Sequence, residues 1–434
     1  MIIIRIMKTI VSVLVLSFLM ITASIAQNNS LLYTNVTIHV GNGTVIENGQ
    51  LGINNGTIDW VGPMSQQPVR KYSQTIDGKG QHLYPGLIAP NTRLGLEEIQ
   101  AVRATRDYAE VGRFNPNLRA IIAYNTDSYV VPTIRSNGIL LAQIVPEGGT
   151  VSGQSSLVYT QANNWEDAAF ELDNCVHLKW PARIIYTGWW AQRGRTESNQ
   201  QYLNGLEAIR VYFDAAKAYA QKETVETKNI KFETMKALFS KKKKLVIHVD
   251  DARSIMDAVK LLKPYGVDII LQGATESWQI VDFIKENNIA IILGDVQSLP
   301  RREDSDIDQP YKTPALLQAK GIPFAFSQSR QGSWNTRNLM FQAGQAVAFG
   351  LDKEAALTAL TLNTAKILGV EQRVGSLEVG KDATLLVSQG DLLDMRTSVV
   401  TAAYMAGKPV DLGNKQKDLN QKYIERYQLE NKQD

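Results

Sequence analysis

Imidazoles and carboxylates that converge can bind a metal or move a proton. This chain has only four histidines to offer: His39, His82, His177 and His248. A divalent metal held by such groups brings the pKa of its bound water to about 7 and polarises a carbonyl. The most suggestive stretch is Ile247-His248-Val249-Asp250, an imidazole closing an apolar run with a carboxylate two residues on. His248 is therefore a candidate general base, or a single ligand together with Asp250. No orienting partner stands near it in sequence, so the alternative is a polar residue left at a strand end. The single cysteine, Cys175, rules out an intramolecular disulfide and any multi-thiolate metal site. It has no recognisable His–acid arrangement and reads as an inert thiol. Gly148-Gly149-Thr150-Val151-Ser152-Gly153-Gln154-Ser155 has the spacing of a phosphate loop, but Gln154 stands where lysine is required. The stretch is expected to shape a surface, not to hold a nucleotide. Glu303-Asp304-Ser305-Asp306-Ile307-Asp308 carries oxygens suited to Ca²⁺. It lacks the glycine and terminal glutamate of an EF-hand and reads as a solvated loop.

The chain that must position these groups is 434 residues long, 44% hydrophobic and 21% charged, with a formal charge of +3. That balance gives a large core, excludes a disordered or coiled-coil protein, and makes no electrostatic case for nucleic acid as a partner. Leu31–Gly62 reads as β-hairpins, because Asn42-Gly43, Asn48-Gly49 and Asn55-Gly56 suit tight turns with φ > 0. Short strands are expected at Val36–Val40, Thr44–Ile46, Leu51–Ile53 and Thr57–Val61. From His82 onward apolar runs alternate with helical patterns, which predicts a parallel sheet covered on both faces. The clearer strands are Leu83–Ile88, Ile139–Val145, Leu245–Val249, Val267–Leu271, Ile289–Leu293 and Pro323–Phe326. His39 falls in the small N-terminal sheet, His82 just before the larger one, and His177 in a loop-like stretch before Trp180-Pro181. Trp189-Trp190 reads equally as core or as a cap on the mouth. The basic run Lys241–Lys244, just before a strand, reads as solvated. After a helix at Lys353–Leu368, strands return at Thr384–Val387 and Ala402–Met405, and Asn414–Lys432 is a polar helix.

Residues 1–26 have the anatomy of a signal peptide: Arg5 and Lys8, an apolar run over Ile10–Ile21, and Ser24-Ile25-Ala26 before Gln27. The run is short for a permanent membrane anchor. The sequence therefore predicts an exported protein, periplasmic or secreted. Met7 is an alternative start.

Tyr84-Pro85-Gly86-Leu87-Ile88 and two C-terminal stretches then carry a resemblance. The first is Ala356-Leu357-Thr358-Ala359-Leu360-Thr361-Leu362-Asn363-Thr364-Ala365-Lys366-Ile367-Leu368-Gly369, and the second is Gly375-Ser376-Leu377-Glu378-Val379-Gly380-Lys381-Asp382-Ala383. Over about Leu31–Val410 the chain resembles the amidohydrolase superfamily, of the imidazolonepropionase-like kind. The resemblance implies an α/β fold, a (β/α)8 TIM-type barrel with a small β-sandwich built from both chain ends. The domains expected are a signal peptide at 1–26, a composite sandwich from 27–84 plus 376–412, a barrel over 85–375, and a polar C-terminal helix at 413–434. It also implies hydrolysis of non-peptide C–N bonds in amides or cyclic amides, with Zn or another divalent metal. Members take a His-x-His pair from barrel strand 1, a bridging Lys or Glu from strand 4, one His each from strands 5 and 6, and an Asp after strand 8.

At the matching positions this chain carries Asn91 and Arg93, then His248, then Gln272, then Gln328 and Arg330. A guanidinium is not deprotonated in proteins, so Arg93 cannot ligate. No Asp or Glu lies between Asp308 and Asp352, so a shift in alignment does not restore the carboxylate. The strand-4 position is not assignable from sequence. Only His248 matches a ligand position, no metal cofactor is expected, and the usual dinuclear mechanism is not supported. The arginines, with Arg337 and Lys312, suit a basic mouth for an anion, or else pair with the acidic loop. Asn91, Arg93, Gln272, Gln328 and Arg330 are thus candidate ligand-binding residues at former metal positions. The first expectation is a non-catalytic or small-ligand-binding relative of these hydrolases, taking a small amide or anionic ligand. The alternatives are a metal-independent or single-metal hydrolase using His248, and a structural partner of an intact paralogue.

Overall fold

The computed structural model describes residues 30–189, 194–328 and 332–428. The expected signal peptide, Trp190 and Arg330 lie outside the described residues. The strands, in chain order, are β1 (Ser30–His39), β2 (Val45–Asn54), β3 (Thr57–Pro63), β4 (Gln74–Asp77), β5 (His82–Pro85), β6 (Leu87–Thr92), β7 (Ile139–Ile144), β8 (Val151–Tyr159), β9 (Ala169–Lys179), β10 (Ile184–Tyr186), β11 (Thr196–Ser198), β12 (Lys244–Val249), β13 (Ile269–Gly273), β14 (Ala290–Leu293), β15 (Phe324–Phe326), β16 (Leu385–Ser388), β17 (Val400–Met405) and β18 (Lys408–Pro409).

Both ends of the chain feed one sheet, in the order β18-β17-β16-β5-β1-β2-β3, with β4 paired to β1. Asn55 and Gly56, both at positive φ, make the two-residue turn between β2 and β3. Asn48-Gly49, expected as a second turn, instead lies inside β2, so the runs at Thr44–Ile46 and Leu51–Ile53 belong to one strand. Asn48 takes φ 47°, and the β1–β2 register shifts nearby, between Val36 and Ile38. A side chain on Gly49 would meet Ile38 at 2.7 Å, so this site needs a glycine for packing and not for a turn. His39 and His82 sit in this sheet. His39 Nδ1 is 2.8 Å from Glu354 Oε1 and its Nε2 is 3.1 Å from His82 Nδ1.

The second sheet runs β15-β14-β13-β12-β9-β8-β7-β6 and is a nearly closed TIM-type barrel. Its lower lumen is apolar and fully covered: Ile88, Leu141, Leu157, Cys175, Val246, Ile270, Ile292 and Ala325. Burial pushes the Cys175 thiol up to about 12, which keeps it inert. The opposite faces of the same strands pack on the surrounding helices, among them Tyr202–Ala220 and Ala252–Leu262.

The barrel departs from the all-parallel sheet expected. β8 pairs antiparallel with both β7 and β9. The cause is the connection lengths. A parallel crossover needs a dozen or more residues, and residues 145–150 and 160–168 are too short to supply one. Gly148 and Gly149, both at positive φ, turn the chain straight back into β8. The start of β8 therefore lies at the mouth of the barrel, beside the C-terminal ends of its neighbours.

Two further expectations are corrected. Lys241–Lys244 is not simply solvated: Lys244 Nζ donates to the carbonyls of Lys366 and Ile367 at 3.1 and 2.7 Å, and Lys243 is bound to Gln154 Oε1. These two carbonyls close the helix Leu362–Leu368, where a cation is favoured. The C-terminal helix spans Lys415–Tyr427, and no residue of it is buried.

Candidate functional site

His177, read as a loop residue, is on β9, the fourth barrel strand, and points into the lumen with Cys175 below it and Lys179 above. It is fully buried. Its Nδ1 is 2.9 Å from His248 Nε2, and its Nε2 is 2.8 Å from Ser155 Oγ on β8. Gln143 Nε2 on β7 donates to Ser155 Oγ at 2.9 Å, and Gln143 Oε1 accepts the backbone N–H of Asn91 at 3.1 Å. At the other end, Gln272 on β13 lies opposite His248 in the β12–β13 ladder. A continuous polar ring thus runs across four neighbouring strands, β7 to β9 and β12, directly above the apolar lumen; it is tied to β6 through Asn91 and flanked by Gln272 on β13.

One set of proton positions satisfies these contacts. Ser155 O–H donates to His177 Nε2, His177 Nδ1–H donates to His248 Nε2, and the remaining His248 N–H is left facing the Gln272 side of the lumen. Both imidazoles are then neutral. Burial, followed by the neighbouring His248, holds His177 well below the ordinary histidine value. Burial first, and the Lys179 ammonium second, bring His248 down to about 4, against a smaller opposing effect of Gln272.

Above this ring lies a cavity of about 360 Å³. Asn91, His248 and Gln272 form its floor, and Glu147, Ser152, Lys179, Asp250, Asp251 and Arg301 are on its walls. Asn91 has φ 53°, a left-handed conformation that asparagine tolerates, at an irregularity between Ala89 and Thr92. Arg93 and Gln328 line a smaller neighbouring cavity. Arg93 is not free to receive an anion. It pairs with Glu97 at 3.2 Å and Glu147 at 3.4 Å, and lies 4.8 Å over the Tyr108 ring. Glu97 is 2% exposed, so this carboxylate depends on its arginine. Gln342 holds the Gln328 carboxamide oxygen from behind, and also donates to Ser327 O at 3.1 Å.

The other charged groups read from sequence are engaged elsewhere. Lys312 pairs with Asp308 and Asp306 at 2.7 and 3.2 Å, and Arg302 with Asp304 at 2.8 Å. Arg337 donates to Trp334 O at 3.1 Å. The glycine-rich stretch offers no phosphate cradle, because its amides are taken: Thr150 N and Val151 N donate to Arg113 O, and Gln154 N to Leu118 O. Trp189 is largely exposed.

Sequence reasoning missed Lys179, Ser155 and Gln143 as well as His177. Lys179 is the backbone partner of His248 across the β9–β12 ladder. It stands at the end of the fourth strand, where the resemblance leads one to expect a bridging Lys or Glu. The Trp180-Pro181 pair that closes the strand was the available signal for locating that end.

The remaining donors do not suit a metal. Of the expected ligand positions, one holds an imidazole whose Nε2 is engaged by His177, two hold carboxamides at Asn91 and Gln272, and one holds an ion-paired guanidinium. A bridging lysine carboxylate serves two ions, and neither has an imidazole or carboxylate set of its own here. Among the described residues, no three His, Cys, Asp or Glu side chains converge to hold one.

Comparison with known proteins agrees with this architecture. Residues 200–410 match the amidohydrolase family. An amidohydrolase of known structure from Thermotoga maritima MSB8 superposes with a TM-score of 0.75 at 24% identity, covering 88% of this chain and 99% of that one. The chain is thus similar to the amidohydrolase superfamily, whose members are metal-dependent, and within it to the imidazolonepropionases. It is 24% identical to the imidazolonepropionase of Legionella pneumophila (strain Corby) over 369 residues, 80% of this chain and 89% of that protein. It is 39% identical to that of Syntrophobacter fumaroxidans over 92 residues, a match that spans 21% of this chain and only 20% of that relative.

Proposed function

We propose that this chain is an amidohydrolase-superfamily barrel that has given up metal-centred C–N hydrolysis and acts as a non-catalytic protein binding a small amide or anionic ligand. The observation that carries this reading is the 2.9 Å contact between His177 Nδ1 and His248 Nε2. It commits the one imidazole at a former ligand position to a neutral, buried hydrogen-bond ring. Extracting His248 to bind a metal, or to act as a base toward the cavity, would leave His177 without its partner, at a cost of about 1–3 kcal/mol. The same engagement weighs against a metal-independent hydrolase with His248 as its base.

In this proposal the terminal sheet corresponds to the superfamily's β-sandwich, from 27–84 plus 376–412, beside a barrel over 85–375. Residues 1–26 direct export.

The test is elemental mass spectrometry on folded protein without a histidine tag, after incubation with Zn²⁺ and separately with Mn²⁺ followed by desalting. Well below one metal per chain is expected. About one tightly bound metal per chain would overturn the reading and favour a working hydrolase.

A further inference from the structure

We propose that Lys179 and Asn91 form a receptor for the carboxylate end of a small monoanionic ligand that also carries an amide. The inference rests on the reading of this barrel as a ligand-binding protein, and it names the chemistry of the ligand.

Most of the charges that line the cavity are already offset. Arg301 is paired with Asp250 at 2.7 Å. Glu147 is paired with Arg93 at 3.4 Å. Asp251 accepts the Ser254 N–H at 2.8 Å and caps the helix Ala252–Leu262, whose positive end offsets its charge. That leaves Lys179, which has no ion pair or hydrogen bond to its side chain among the described residues. Its position is well fixed. It ends β9 opposite His248, and Trp180 N donates to His248 O at 3.1 Å, so the two strands stay joined past it.

Asn91 supplies an independent observation. It is 7% exposed and lines the cavity floor. Its backbone N–H is bound by Gln143, yet its carboxamide has no partner among the described residues. The carboxamide opens onto the cavity, where a ligand can bond it in place of water. An ammonium on the wall and a carboxamide on the floor together suit a ligand with a carboxylate and a neutral polar group. A cavity of about 360 Å³ accepts a molecule of that size. The number of charges also matters. With the other charges on these walls already offset, one ammonium neutralises one carboxylate, whereas a multiply charged anion such as phosphate would keep uncompensated charge.

The experiment is calorimetric titration of the folded, untagged chain with N-acetylglycine, its neutral counterpart N-acetylglycinamide, and inorganic phosphate. The acid should bind at least about tenfold more tightly than the neutral amide or phosphate. Lys179→Gln should abolish that preference without changing the thermal unfolding temperature, and Lys179→Arg should keep most of it. Asn91→Ala should weaken the acid and the amide alike. Equal binding of acid and amide, or a preference that survives Lys179→Gln, overturns the carboxylate receptor and leaves the ligand-binding reading standing. Tightest binding of phosphate, or no binding of any probe, overturns the receptor as well. Stoichiometric metal in the same preparation overturns the parent reading instead.

Discussion

His177→Leu lowers the stability of this protein by about 2–4 kcal/mol. Leucine has nearly the volume of histidine and sits well in a barrel lumen, so little of this cost comes from a cavity. It comes from the polar ring. The substitution removes the donor to His248 Nε2 and the partner of Ser155 Oγ, the latter fully buried with no water to replace it. Each stripped buried group costs about 1–3 kcal/mol. Ser155 loses less, because Gln143 still donates to it. His177→Gln restores a donor and an acceptor in part and should recover some of the loss. Urea denaturation with an unchanged slope is the measurement, since a shifted midpoint at constant slope reports stability alone. A His177→Leu variant within about 0.5 kcal/mol of the parent would mean the ring contributes nothing net. The argument that His248 is committed to it would then fail.

How much of this could be read in the sequence depends on how far each feature is set by local residues. The strands β12 to β15 were legible because each is a short apolar run bounded by helical text, and its position follows from the residues themselves. The direction of β8 was not. A buried strand has the same composition whichever way it runs, and the one local clue is the short Pro146–Thr150 link with its paired glycines. β9 was misread for another reason. Its first half carries Glu171, Asp173 and Asn174, which lie at or near the surface, so only its last few residues look like a buried strand. Placing His177 in a loop followed from that. The pairing of His177 with His248 is a product of the β9–β12 register, in which Val246 lies opposite His177 and His248 opposite Lys179. No spacing within the chain encodes it. Asn91, Gln272 and His248 were legible as strand-end residues because strand ends hold fixed places in the barrel, and all three line one cavity. Arg93 was legible as a charge either open to an anion or paired with the acidic loop, and its partners proved to be Glu97 and Glu147. Its partner Glu97, one helical turn on in sequence, was a signal available at the outset, whereas Glu147 was brought to it by the β7–β8 turn.

The same ring makes the protein sensitive to acid in a window set by its histidines. A histidine held neutral by burial has a lower pKa folded than unfolded, so between those values the unfolded chain binds more protons and falling pH favours it. The stability that depends on neutral His248 is whole above the ordinary value of 6.5 and erodes as pH falls toward about 4. His177, shifted in the same direction by burial, adds to the slope, and so does His82 in the terminal sheet. From the His248 shift alone, the loss from pH 7.5 to 4.5 is about 2 kcal/mol, allowing for its partial exposure to the cavity. Carboxylates with lowered values erode stability in the same direction but lower down; Asp394, held by Arg396 to about 2, is an example. The histidine contribution is therefore separable at pH 5 and above. Urea midpoints at pH 7.5, 6.0 and 5.0 should fall steadily for the parent, and more shallowly for His177→Leu, which has one fewer buried imidazole to protonate. A parent midpoint that stays level down to pH 5 would mean these imidazoles carry charge in the folded protein. A charged pair 2.9 Å apart would need an anion in the cavity to hold it, and the neutral ring would have to be abandoned with the reading built on it.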